Sequence, residues 1–152
     1  MSFKSMIVLL DNSEDSSAQL DVACSLAEDQ GAHLNALALS LQIYPAVAGL
    51  DAGAAAIDVG QIEEARQRAQ SAAAAAKETI EARGLPGDVR WSSRELSGLR
   101  DVAAVQGRFA ELTIAGQPVE GQYQSLREWA LDGALLSSGR PVGSIRTSVY
   151  GA

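Results

Sequence analysis

The most constraining stretch is Met6-Ile7-Val8-Leu9-Leu10, five apolar residues stopped at once by Asp11-Asn12-Ser13. A short continuous apolar run bounded by turn residues predicts a strand buried on both faces. Asp11 then stands at the carboxyl end of that strand, and Ser13 is expected to begin the next helix. In open α/β sheets, ligands bind just outside the carboxyl ends of the strands. Asp11 is therefore the first candidate site residue.

The following elements alternate in period. Leu20, Ala23, Cys24 and Ala27 share one stripe of a helix over 15–30, with Glu14 and Asp15 assigned to its first turn and Gly31 to its end. Leu34 to Leu41 reads as a second buried strand, and such a pair joined by a helix makes a right-handed parallel crossover. Residues 42–60, with Pro45, Gly49, Gly53 and Gly60, read as a long flexible loop. Gln61 to Arg83 reads as a helix with Ile62, Ala65, Ala69, Ala72, Ala76 and Ile80 on one face. Glu63 and Glu64 are expected at its start and Lys77 and Arg83 near its end.

The remaining chain predicts a polar, edge-type third strand over Asp88–Arg94 and a third helix over Leu99–Phe109. A fourth strand spans Glu111–Gly116, and a fourth helix, Tyr123–Ser138, turns Leu126, Trp129, Ala130 and Ala134 inward. Gly139 closes that helix, and Pro141-Val142 open an unusually polar fifth strand. The order βαβαβαβαβ predicts a single α/β domain, an open five-stranded parallel sheet with helices on both faces.

Composition narrows the function classes. The 152 residues suffice for one core, and a net charge of −7 lacks the basic footprint of a nucleic-acid binder. The one cysteine, Cys24, cannot form an internal disulfide and is read as a buried thiol, which points to the cytoplasm. The first apolar run is too short for a membrane span. His33, the single histidine, is expected at the surface, with no second histidine for a metal site or proton relay. Trp91 and Trp129 are read as packing residues, not stacking platforms. Serines are plentiful, but none lies in Gly-x-Ser-x-Gly, and nothing assembles an acid–base pair. Asp11 can accept hydrogen bonds from a ribose or base edge, or equally from amides at the start of the following helix. Gly116-Gln117-Pro118-Val119-Glu120-Gly121 gives a ligand access to backbone at a strand end. Yet Glu120 is acidic, Pro118 lacks an N–H and no lysine is near, so it is not a P-loop.

The order of elements and several stretches resemble the universal stress protein family. Ile7-Val8-Leu9-Leu10-Asp11-Asn12-Ser13-Glu14-Asp15-Ser16 is similar to its first strand and turn, and Glu28-Asp29-Gln30-Gly31-Ala32-His33-Leu34 to its approach to the second strand. Ala110-Glu111-Leu112-Thr113-Ile114-Ala115-Gly116 and Ser137-Ser138-Gly139-Arg140-Pro141-Val142 resemble its fourth strand and the approach to its fifth. The Gly116-Gln117-Pro118 form is similar to the first half of tandem members, which carry two such domains.

The resemblance implies a homodimer built along the fifth strand. It also implies, in those members that bind ATP, an adenosine contact at the positions of Asp11 and Leu39 and a phosphate loop opening at Gly116. That loop departs here. Val119 replaces its second glycine, and Glu128-Trp129 fall about where Gly-Ser belongs. The expectation is a non-catalytic stress-response domain without metal or bound ATP, acting by self-association or protein interaction. An adenosine or nucleotide binder using Asp11, Leu39 and Gly116 is the alternative.

Overall fold

The structure is a computed structural model that describes residues 2–43 and 54–146. Its elements run β1 (Ser5–Leu10), α1 (Ser16–Gln30), β2 (His33–Leu41), α2 (Ala54–Ala82), β3 (Val89–Arg94), α3 (Leu96–Arg108), β4 (Leu112–Gly116), α4 (Gln124–Asp132), a π-helical turn (Gly133–Ser137) and β5 (Val142–Ile145). Every strand pairing is parallel and the sheet order is β3-β2-β1-β4-β5. The expected α/β fold is the observed one.

Right-handed crossovers dictate the layers. The chain steps one way from β1 through β2 to β3, which puts α1 and α2 on one face. It then crosses back to β4 and β5, which puts α3 and α4 on the other. Side-chain period divides the central strands the same way. Met6, Val8, Leu10, Leu34 and Ala36 pack with Leu20, Ala23, Ala27, Ala76 and Ile80 of α1 and α2. Ile7, Leu9, Leu37 and Leu39 pack with Leu99, Ala103, Leu126, Ala130 and Ala134 on the α3–α4 side. Strand order reverses between β1 and β4, the topological switch point where a ligand crevice is expected.

Several expectations need correction. Helix α1 begins at Ser16, not Ser13, so Glu14 and Asp15 precede its first turn. Asp11 draws the intervening residues into a turn, as described below, which delays the helix. Helix α2 begins at Ala54, within the expected loop, and Glu63 and Glu64 therefore lie mid-helix. The alanine-rich run after Gly53 has enough helix propensity to extend the helix, and Gly60 does not stop it. The rest of the expected loop, over 44–53, lies outside the described residues. Helix α3 starts one turn earlier than expected, at Leu96. The fourth helix is α-helical only to Asp132 and changes to a π turn at Gly133. Trp129 is not inward but 37% exposed, and Trp91 is likewise a surface residue.

Other local readings agree with the structure. Gly31 ends α1 in the left-handed region at φ 61°, with its N–H donated to the carbonyls of Ala27 and Glu28. Cys24 is fully buried, and burial pushes its thiol pKa up. His33 is exposed, with Nε2 3.1 Å from Asn35 Oδ1. Arg83, just past α2, clamps α1: its Nε and Nη2 reach the two carboxylate oxygens of Glu28 at 2.7 and 3.0 Å.

Candidate functional site

Strand period places Asp11 on the α3–α4 face, two residues beyond Leu9 and four beyond Ile7. Its backbone cannot continue as a strand because Asn12 takes φ 60°, a left-handed conformation that asparagine tolerates better than most residues. The chain therefore turns sharply under the Asp11 side chain. Asp11 Oδ1 accepts from the Ser13 N–H at 3.0 Å and the Ser16 hydroxyl at 2.8 Å. This is an Asx turn, and it organises the approach to α1 without capping the helix.

The other carboxylate oxygen meets a residue that sequence reasoning missed. Arg127 of α4 donates Nε–H to Asp11 Oδ2 at 2.5 Å, and both side chains are 4% exposed. The guanidinium also donates from Nη1 to the Gln117 carbonyl at 3.1 Å and from Nη2 to Ser13 Oγ at 2.8 Å. Asp15 lies 3.6 Å from Nη2. Arg127 thus ties the end of β1, the segment after β4 and helix α4 into one buried network. Each oxygen of Asp11 already has a donor inside the protein.

Burial alone would raise the Asp11 pKa, because desolvation disfavours the charged form. The hydrogen bonds from Arg127 and Ser13 and the arginine's charge outweigh it, and the carboxyl titrates below its ordinary value. The sign for stability follows. A carboxylate whose folded pKa is depressed adds stability that is complete above its unfolded value near 4 and is lost as pH falls through the folded value. Urea unfolding midpoints should accordingly fall more steeply below about pH 4 in the wild-type chain than in Asp11→Asn, which cannot titrate there. Parallel acid limbs would remove Asp11 as the responsible group.

Leu39 and Gly116 occupy different surroundings. Leu39 is fully buried in the core beneath α3 and α4. Gly116 ends β4, on the strand beside β1, and a Cβ there would come 2.2 Å from Gln19 Nε2 of α1. Gln19 is 1% exposed, and its Nε2 has no hydrogen-bond partner among the described residues. The structure therefore brings Asp11 and Gly116 to neighbouring strand ends, while Leu39 lies within the core layer. Beside Asp11 a cavity of about 50 Å³ remains, lined by Ser40, Leu41, Arg68, Tyr123 and Leu126. Small-molecule sites span about 300–1,000 Å³. Among the described residues, no three His, Cys, Asp or Glu side chains converge as a metal site would require, and no helix is long and apolar enough to cross a membrane.

Arg127 carried a legible signal. At about 100° per residue, Leu126, Ala130 and Ala134 span an inward sector of about 80°; position 127 falls about 20° beyond one edge of it and 129 about 60° beyond the other. Size and apolarity favoured the tryptophan, whereas angle favoured the arginine.

No protein-family model matches the chain, and no curated protein matches it. Solved structures do. A universal stress protein family member from Burkholderia pseudomallei aligns at 24% identity and TM-score 0.56, over 93% of this chain and 95% of that one. A universal stress protein in complex with cAMP aligns at 15% identity and TM-score 0.63, over 97% and 100%. A universal stress protein from Archaeoglobus fulgidus in complex with dAMP aligns at 14% identity and TM-score 0.52, over 95% and 98%. With its sheet order, its layers and its likeness to these structures over nearly their full length, the chain has the fold of the universal stress proteins.

Proposed function

We propose that this chain is a non-catalytic universal stress-type domain of the cytoplasmic stress response, which acts by association with itself or with other proteins and holds no ATP. The observation that carries this reading is the buried Asp11–Arg127 pair at the switch point. The ribose or base edge of a nucleotide seeking the carboxylate would have to displace a guanidinium already bound to it. Separating such a pair leaves a buried charge uncompensated, which costs about 3–5 kcal/mol. The cavity that Asp11 itself lines is about 50 Å³, below the range of small-molecule sites, and the hollow of about 340 Å³ over Asn12, Glu64, Gln67, Arg68 and Ser71 does not include the carboxylate. Trp129 lies on the segment where the resemblance calls for small glycine and serine residues.

A second reading is binding of adenosine or an adenine nucleotide at Asp11 and Gly116. It draws on the neighbours in complex with cAMP and dAMP. Thermal melts with ATP, AMP and adenosine separate the two. A ligand at a hundred times its dissociation constant stabilises by about 2.7 kcal/mol, or roughly 5–10 °C for a domain of this size. The expected result is no shift with any of the three. A shift with ATP overturns the first reading, and a shift with adenosine alone establishes the second. Sedimentation of the same sample reads the self-association directly.

A further inference from the structure

Among the described residues, strand β3 lies at one edge of the sheet and pairs only with β2. In the parallel ladder the even-numbered positions bond inward: the Ala36 N–H donates to the Asp88 carbonyl at 3.0 Å and the Gln42 N–H to the Arg94 carbonyl at 2.8 Å. The N–H and C=O groups of Val89 and Trp91 consequently point away from the sheet. Such a row is a template for another strand. The side chains along it are distinctive in a chain of net charge −7. Val89-Arg90-Trp91-Ser92-Ser93-Arg94 holds two arginines and no acid, and Asp88 and Glu95 stand only at its ends. Arg90, Trp91 and Arg94 are exposed. Arg66 of α2 lies over the Trp91 ring, 5.6 Å from its centre. Arg90 is hydrogen-bonded to the Gln106 side-chain amide at 3.3 Å. Among the described residues, none of Arg66, Arg90 and Arg94 is within salt-bridge distance of a carboxylate.

We propose that the β3 edge receives an extended acidic peptide segment of a partner protein as a sixth strand. The partner's carboxylates, four residues apart on one face, would pair with Arg90 and Arg94. An apolar residue on its other face would lie against Trp91. This deepens the association reading above and rests on it.

Charge selects the occupant. Edge arginines block pairing with a second copy of β3, because antiparallel addition sets arginine near arginine, and like charges across strands are destabilising. The same arginines favour an acidic strand. A guard against aggregation needs only charge, whereas this edge also presents an aromatic surface under a stacked guanidinium. A single-stranded nucleic acid cannot continue the backbone ladder, and the molecule's overall negative charge repels a long polyanion.

The test is fluorescence anisotropy of a labelled ten-residue peptide of alternating glutamate and valine. Three controls are the lysine–valine equivalent, the glutamate–valine peptide N-methylated on the residues facing the edge, and a ten-nucleotide oligouridylate. Saturable binding is expected for the glutamate–valine peptide, with each control at least tenfold weaker. The charge-reversed double variant Arg90→Glu with Arg94→Glu should lose at least tenfold and gain the lysine–valine peptide. Its circular dichroism spectrum should stay unchanged, because both side chains are exposed. Equal binding of the N-methylated peptide would reduce the edge to a charged patch and overturn the proposal. So would an oligouridylate that matches the acidic peptide, a double variant that binds normally, or no binding at all. None of these outcomes touches the nucleotide melts, so the failure of this inference and of the association reading remain distinct.

Discussion

Replacing Arg127 with alanine is expected to destabilise the domain by about 3–5 kcal/mol, a large share of the roughly 5–15 kcal/mol available to a typical domain. The loss comes from what is left behind. Asp11, 5% exposed, would keep its turn contacts to Ser13 and Ser16 but lose the one cation at bonding distance among the described residues. The Gln117 carbonyl and Ser13 hydroxyl would lose a donor as well. Arg127→Lys keeps the charge but cannot fork to three acceptors, so an intermediate loss is expected. The decisive variant is Asp11→Leu combined with Arg127→Met. Removing both charges together avoids the orphaned ion, and buried pairs replaced by apolar residues are often close to neutral. Urea unfolding should show the double variant recovering more than half of what Arg127→Ala loses. If Arg127→Ala costs under about 1 kcal/mol, water reaches the pair and the switch point is open after all.

The second large effect is at Leu39. It is fully buried among Leu37, Leu99 and Leu126, so Leu39→Ala deletes apolar volume from the layer that seats α3 and α4 on the sheet. The expected cost is about 2–5 kcal/mol, from lost transfer energy and the cavity left behind. Chemical denaturation at constant m-value measures it. If Leu39 lined an open ligand crevice, water would refill the space and the cost would stay near the value for a partly exposed leucine. A loss below about 1 kcal/mol would therefore move Leu39 from the core to the site.

The placement of these two residues separates what is legible in a linear chain from what is not. The stop from Leu10 to Asp11, the stripe Leu20–Ala23–Cys24–Ala27 and the left-handed Gly31 are local signals, and each element they predict is present. Parallel pairing followed from the alternation of strands with helices and the handedness of the crossovers. Boundaries were weaker. Alanine propensity carried α2 back to Ala54 through a segment that glycines had marked as loop, and the Asp11 turn delayed α1 to Ser16.

Hydrophobic period and crossover handedness act over a few neighbouring elements, so they were enough to specify the parallel α/β layers and to put Asp11 at a strand end. What Asp11 bonds to depends on how the helices fold over the sheet. Its partner lies 116 residues away, and the pairing depends on which face of α4 meets the sheet. Coulomb energy follows distance in space, and no spacing along the chain encodes that distance.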